Sequence, residues 1–337
     1  MDTQTTLPES ATSSFSTRTD SIYDCIVEPM HQVERMLRDQ MQSKYEDLAP
    51  LLAHGALLGG KRLRPALVLL SGMATGSITT EHIVVGTVVE MVHTATLIHD
   101  DVLDSAQHRR HMPTVNAKWN NQTSILLGDY LFSQAFTLSA SLGSTLACRW
   151  IGEAARLVCE GELRQIMTQG LMRLGEEDYL DIIRGKTAEL CRVSCRLGAA
   201  YSNADETTQQ TLASYGENLG IAFQIADDYL DLWGSAERVG KTLGTDLDQA
   251  KPTLPLIRLL ETDPLMEDQI ETILSLEADQ RFQAIMQRLE RSDAKQYTLE
   301  TARRFATNAI DAIESLPSSD AKQTLCDIAM FSVNRGF

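Results

Sequence analysis

The stretch LIHDDVLD, residues 97–104, sets three aspartates at the end of an apolar run with no positive residue among them. QIADDYLDL, residues 224–232, repeats the arrangement much later in the chain. Residues four apart share a face of a helix. Asp100 and Asp104 therefore point one way with Asp101 turned aside, and Asp227, Asp228 and Asp231 repeat the pattern. Like charges at this spacing cost about 0.2–0.5 kcal/mol even on an exposed helix. Beside apolar sequence the cost rises, because desolvation penalises a carboxylate. A single DDxxD reads most simply as a solvated acidic face. Two copies, each behind apolar residues, require something that offsets the charge. Hard divalent cations do so: Mg2+ takes carboxylate oxygens and keeps positions open for phosphate.

Around these clusters strand signals are scarce and helical spacing dominates. The apolar periodicity predicts helices over residues 21–44, 63–72, 80–104, 123–141, 146–168, 176–201, 205–232 and 254–260. Shorter helical patterns follow at 270–274, 282–289, 299–313 and 325–334. Gly59-Gly60 marks a turn before the second of these helices. No Pro- or Ser-rich linker follows residue 20, so one all-α domain over 21–337 is the simplest account. Residues 1–20 are rich in Ser and Thr, without the apolar centre of a signal peptide, and read as a disordered tail.

With 337 residues, 43% of them hydrophobic, the chain has ample material for a large core. Its formal net charge of -16 argues against nucleic acid or a polybasic membrane contact as its business. Residues 83–98 are the most apolar piece, but Glu90 and His93 interrupt them, and they read as a buried helix rather than a membrane anchor. The six cysteines are scattered without a CxxC pair. They read as reduced core residues of a cytoplasmic protein, Cys191 and Cys195 included, although those two lie one turn apart.

An anionic chain that binds an anionic ligand has to gather its cations. Lys61, Arg62 and Arg64 follow the two glycines, Arg109 and Arg110 lie just past the first aspartates, Lys186 sits in RGKTAEL, and Lys241 and Lys251 follow the second aspartates. Any one of them reads as surface. Their placement beside the aspartates suggests a diphosphate, held partly by cations and partly through metal.

Taken in order, GGKRLRP, EMVHTATLIHDDVLD, RRHMPTVNAKW, GDYLF, EGELRQ, GKTAEL, FQIADDYLDL, GKTLGTD and KPTLPLI resemble the motifs of the trans-isoprenyl diphosphate synthases, and of their long-chain polyprenyl members in particular. The resemblance spans residues 59–257. It implies an all-α isoprenoid synthase fold of roughly a dozen helices around a large central cavity, and a homodimer. It implies Mg2+, three ions together with bound diphosphate. It also implies the reaction: an allylic diphosphate ionises, the double bond of isopentenyl diphosphate attacks the allylic cation, and a proton leaves. The product is an all-trans allylic diphosphate one isoprene unit longer.

By motif position, the resemblance makes Asp100, Asp104 and Asp227 direct metal ligands, with Asp101, Asp228 and Asp231 as water-mediated partners. It assigns Arg109, Lys186, Thr187, Gln224 and Lys241 to the allylic diphosphate, and Lys61, Arg64, His93 and Arg110 to isopentenyl diphosphate. On the same resemblance, Asp100, Asp104, Asp227, Lys186 and Lys241 are expected to carry the catalysis. His93 read alone is a core histidine. Chain length is expected from Ala95 and Thr96, five and four residues before Asp100, where relatives that stop early place aromatics. Both are small here, so the product is expected to reach about six to ten isoprene units, as in a respiratory quinone side chain. Met91 and Val92 lie a turn deeper, and Met91, Phe132, Phe136 and Met167 are candidates for a deeper floor. So apolar a product implies membrane association at release rather than a stable anchor.

The chain departs from the family in one loop: His111 stands where relatives have Gly after the paired arginines, which puts the placing of Arg110 in question. At the C-terminus only Arg335 is available as a basic residue. Three other functions fit the sequence less well. Ala95 and Thr96 argue against a short-chain farnesyl or geranylgeranyl synthase, and the second DDYLD motif argues against a terpene cyclase. Retention of both aspartate clusters with Arg109, Arg110, Lys186 and Lys241 argues against a non-catalytic partner subunit.

Overall fold

A computed structural model of the chain describes residues 22–170, 174–234 and 243–334. The tail at 1–20, Lys241 and Arg335 lie outside the described residues.

Helix α1 (Val27–Gln40) buries Met30, Val33 and Leu37 on one stripe. The periodicity predicts a start at residue 21, but an α-helix begins only at Val27, after a 3-10 turn at Asp24–Ile26. Pro29 accounts for the difference. Its ring would clash with the carbonyl four residues back, so it is tolerated only in a first turn. Helices α2 (Ala49–Leu57) and α3 (Leu63–Thr75) follow, and most of α3 is buried. Helix α4 (Thr80–Leu103) starts with a capping box. Thr79 N–H donates to His82 Nδ1 at 3.0 Å, and His82 Nε2 lies 2.9 Å from the Gly198 carbonyl. Burial lowers the His82 pKa, so the neutral ring donates from Nε2 and ties α4 to a later helix.

Past α4, a two-residue hairpin pairs β1 (His108–Arg109) with β2 (Met112–Pro113). Then come α5 (Val115–Lys118), α6 (Asn121–Ala140) and α7 (Leu146–Thr168). Helices α8 (Glu176–Ile183) and α9 (Glu189–Tyr201) are joined by one π-helical turn, Arg184–Ala188, inside what the periodicity reads as a single helix. Asp205 caps α10 (Glu206–Trp233) by accepting from Thr208 N–H at 2.8 Å. The chain ends with α11 (Thr245–Asp248), α12 (Leu254–Thr262), α13 (Pro264–Leu274), α14 (Ala278–Leu289), α15 (Ala294–Ala312) and α16 (Asp320–Asn334).

The fold is all-α, with α3 packed against α4 and α9, α4 against α6, and α10 along α9 and α15. The main core joins Leu67, Leu69 and Leu70 of α3 to Val85, Val88, Val89 and Val92 of α4. A second cluster packs Tyr179 and Ile183 against Ile221, Ile225 and Leu254, under the second aspartates. By length and composition α4 could cross a membrane, yet 78% of its most apolar window is buried inside the protein. It is a core helix whose C-terminal end carries the first aspartates.

One expectation fails here. Met167 is 77% exposed near the C-terminal end of α7, so it does not floor a cavity inside this chain. Leu163 and Ile166 are exposed beside it. Together they form a surface stripe at this end of α7.

Candidate active site

Each aspartate cluster divides in the same way. The middle residue is buried and tied to protein groups. Asp101, 2% exposed, accepts Arg109 Nη2 at 2.8 Å and Nε at 3.0 Å. Asp228, 3% exposed, accepts Tyr179 Oη at 2.6 Å and Gln224 Nε2 at 2.8 Å. Burial, and then the Asp246 carboxylate, push Asp228 well above the ordinary carboxylate range despite those donors. The flanking residues lie nearer solvent: Asp100 and Asp104 are half-buried and Asp227 is exposed.

The Asp100 carboxylate has no hydrogen-bond partner among the described residues. Burial pushes its pKa up to about 6, with Lys186 pulling against it and Glu162 and Asp104 adding to the rise. Lys186 Nζ sits 2.5 Å from Glu162 Oε2 and 2.7 Å from Gln165 Oε1. Burial lowers the Lys186 pKa, but Asp100 and Glu162 outweigh that and leave it above its ordinary value. The ammonium stays charged at any physiological pH.

Lys186 and the neighbouring Thr187 stand on the π-helical turn. Such turns re-aim side chains and frequently mark functional sites. Here the close approach of α7 requires Gly161, since a Cβ there would sit 2.5 Å from Lys186 N. The turn links the two clusters. Lys186 feels Asp100 and Asp104, while Thr187 Oγ1 donates to Gln224 Oε1 at 2.9 Å, and Gln224 in turn holds Asp228.

A cationic patch lies at the start of α3 and on the hairpin. Arg64, Arg110, Arg109 and Arg62 all act on His93, and burial together with these charges holds that imidazole well below its ordinary pKa. His93 is therefore neutral and keeps one N–H to donate. Arg64 Nε is buried with no hydrogen-bond partner among the described residues. The Arg110 guanidinium lies against Gly60, where a Cβ would collide with it. Burial, then Arg109, lower the Arg110 pKa. Both hairpin turn residues adopt left-handed backbone, Arg110 at φ 52 and His111 at φ 64. His111 thus takes the conformation its expected glycine would take. His54 braces the hairpin from behind, with Nε2 2.8 Å from the Pro113 carbonyl. Lys61 is exposed, its ammonium 5.4 Å from the centre of the Phe331 ring. Arg62 does not face this patch as a donor to ligand. It ion-pairs with Glu34 and with buried Glu90, 2.8 Å away.

Of the chain-length residues, Ala95, Met91 and Val92 are fully or almost fully buried and Thr96 is half-buried. Phe132 packs near His99, ring centres 6.1 Å apart.

Residues that the site assignment omitted also meet here. Glu162 and Gln165 hold Lys186, Tyr179 and Asp246 flank Asp228, and Lys251 Nζ lies 3.1 Å from Asp104 Oδ1. Glu162 and Gln165 belong to the EGELRQ motif and Lys251 to the KPTLPLI motif, so their presence was readable but their partners were not.

Among the described residues no three carboxylate, histidine or cysteine side chains converge as a closed metal cage. The donor set still fits a hard cation shared with a phosphate ligand. Mg2+ is characteristically bound by one or two carboxylates, with water and phosphate completing the octahedron. Asp100, half-buried and without a hydrogen-bond donor, is such a carboxylate.

The polyprenyl synthetase family model matches residues 46–290. An octaprenyl diphosphate synthase of Haemophilus influenzae is 34% identical over 313 residues, 91% of this chain and 94% of that protein. A heptaprenyl diphosphate synthase component 2 of Bacillus subtilis is 33% identical over 315 residues, 94% of this chain and 90% of that protein. Among solved structures, a Caulobacter crescentus polyprenyl synthase complexed with calcium and isoprenyl diphosphate superposes with a TM-score of 0.90 at 34% identity. That match covers 95% of this chain and 98% of the other. Two aspartate clusters joined by one π-helical turn, on an all-α frame that these relatives share over nearly their whole length, place the chain in the polyprenyl synthetase family, as a prenyltransferase.

Proposed function

We propose that this prenyltransferase makes a long-chain all-trans polyprenyl diphosphate by repeated condensation of isopentenyl diphosphate onto an allylic diphosphate. The observation that carries the reading is the shared division of the two clusters. Asp101 and Asp228 are buried and tied to protein groups, whereas Asp100 and Asp104 lie half-buried near Lys186 and Asp227 is exposed. The heptaprenyl and octaprenyl synthases among the relatives support the long product.

Asp100, Asp104 and Asp227 would hold Mg2+, which when bound supplies Lewis-acid neutralisation of the departing diphosphate. Lys186 adds a fixed positive charge where that negative charge develops. Thr187 and Gln224, already bonded to each other, orient the allylic diphosphate, and Arg109 leans on Asp101 to reach the same group. Lys241 belongs with them by motif position. Arg64, Arg110 and Lys61 hold isopentenyl diphosphate, with neutral His93 as a further donor. The double bond attacks the allylic cation, a new carbon–carbon bond forms, and the proton lost restores an allylic diphosphate. Apolar walls keep water from the cation. Ala95 and Thr96 leave the tunnel open beyond the first product lengths.

We further propose a homodimer in the cytoplasm. The exposed apolar residues Leu126, Leu163 and Met167 support a partner surface, and six unpaired cysteines suit a reducing compartment. A two-component enzyme is the second reading, because one relative is named as a component.

The test is a product assay. Purified protein, Mg2+, farnesyl diphosphate and isopentenyl diphosphate should yield long-chain polyprenyl diphosphates by mass spectrometry. Asp100→Ala and Asp227→Ala should abolish turnover with an unchanged circular dichroism spectrum. Near-normal activity in either variant would overturn the metal assignment. Inactivity of the wild-type chain with every allylic starter would favour the two-component reading.

A further inference from the structure

Asp231, the last aspartate of the second cluster, has both carboxylate oxygens engaged by backbone. Thr245 N–H donates to Oδ1 at 3.3 Å and Asp246 N–H donates to Oδ2 at 3.2 Å. The Asp231 carbonyl also accepts from Gly244 N–H at 2.8 Å. Three contacts from one residue of α10 therefore pin the start of α11. The first N–H groups of a helix have no partner within it, so a carboxylate is a natural anchor for them.

The other end of α11 is tied as well. Lys251 N–H bonds to the Asp246 carbonyl at 2.9 Å, and Gly170 N–H bonds to the Ala250 carbonyl at 3.1 Å. Ala250 adopts φ 50, a left-handed conformation that reverses the chain just before Lys251. The reversal sets Lys251 Nζ 3.1 Å from Asp104 Oδ1, on a side chain only 8% exposed. A carboxylate on α10 thus fixes a turn that delivers an ammonium to a carboxylate on α4.

We propose that Asp231 is a positioning residue rather than a metal ligand: it holds the α11 turn so that Lys251 occupies Asp104, and a divalent cation reaches Asp104 only by displacing that ammonium. The inference rests on the reading of Asp100 and Asp104 as metal ligands. A carboxylate already paired with an ammonium attracts a second cation less strongly. Recruiting Asp231 to a metal would take it from two N–H groups at a helix start, which would lose their partner. The two roles predict opposite signs. If Asp231 holds the competitor in place, its removal tightens metal binding. If Asp231 ligates the metal, its removal weakens binding.

The experiment is a Mn2+ titration of the full-length protein without diphosphate, read by electron paramagnetic resonance. The wild type is compared with Lys251→Met, Asp231→Ala, Asp231→Asn, the Lys251→Met/Asp231→Ala double variant and Asp100→Ala. Lys251→Met and Asp231→Ala should each tighten Mn2+ binding by about two- to fivefold, the scale of a partly exposed ion pair. The double variant should add nothing beyond either single change. Hydrogen exchange at Thr245 and Asp246 should accelerate in Asp231→Ala but not in Lys251→Met, a difference that a metal-ligand role does not produce. Asp231→Asn keeps one side-chain oxygen for the turn and serves if the alanine variant fails to fold. It too should bind Mn2+ no more weakly than the wild type. Weaker binding in either Asp231 variant overturns the proposal. So does an unchanged Asp231→Ala beside a tightened Lys251→Met, or no change in either. If Asp100→Ala binds Mn2+ as well as the wild type does, the metal reading falls and the proposal falls with it; if neither the wild type nor Lys251→Met binds Mn2+, the proposal alone falls, because a cation shared with diphosphate need not bind without it. If Asp100→Ala loses Mn2+ while Asp231→Ala weakens it, only the proposal falls.

Discussion

Asp100 illustrates what half-burial does to a carboxylate next to two others. Its pKa in the folded, metal-free protein stands near about 6, against an ordinary 3.8. Between these values the folded state binds more protons than the unfolded state. The contribution of Asp100 to stability is therefore present below the ordinary value and is lost as pH rises toward about 6. Melting the metal-free protein at pH 4.5 and pH 6.5 should show this loss, and Asp100→Asn should flatten it. A metal needs the ionised carboxylate, so the Mg2+ required for half-maximal activity should rise as pH falls below about 6 and level off above it. His111 offers a second test on one residue. Its φ of 64 costs a non-glycine residue about 1–2 kcal/mol. His111→Gly should recover about 1 kcal/mol in denaturant melts, less the entropy glycine loses on folding. A drop in stability would mean that the imidazole makes a contact outweighing the strain.

The π-helical turn matters more than its five residues suggest. It puts Lys186 on one aspartate cluster and Thr187 on the other, and it does so where α7 comes closest. Gly161→Ala should push against Lys186 N and the Ile182 carbonyl, both backbone. The expected cost is about 1–3 kcal/mol in stability, with a larger fall in kcat than in substrate affinity if Lys186 acts on the leaving group as proposed. Equal activity at reduced stability would separate the turn from catalysis. This element also shows the limit of sequence reading. The long helices were legible because their apolar periodicity runs for many turns, as in residues 146–168. The π-helical turn, the hairpin at 108–113 and α11 hold too few residues for any period to register. Tertiary partners fix their shapes, such as Asp231 under α11 and His54 behind the hairpin. Motif spacing named Lys251 as a cation, but its partner Asp104 lies 147 residues away, and no local pattern carries that pairing.

At the scale of the molecule, α4 ties the capped, buried N-terminal end to the first aspartates at the other. Ala95 lies on this helix, fully buried, about one turn before Asp100. Ala95→Phe should shorten the product, as read by mass spectrometry after exhaustive extension. An unchanged length would show that Ala95 packs core rather than tunnel. The outward face of α7 misled the sequence reading of Met167 for a related reason. An apolar residue on a helix looks the same in sequence whether it meets the core or lies exposed.

The division of each cluster has a consequence for how such a chain drifts. Asp101, Asp228 and Asp231 are built into the architecture, while the Asp100 carboxylate has no hydrogen-bond partner among the described residues. Mutation therefore meets two kinds of constraint inside one five-residue motif. A duplicated copy released from catalysis would keep its middle aspartates, because losing them unravels the Arg109 and Tyr179 ties. It would shed Asp100 first. Asp100 is then the residue to inspect when deciding whether such a copy still catalyses.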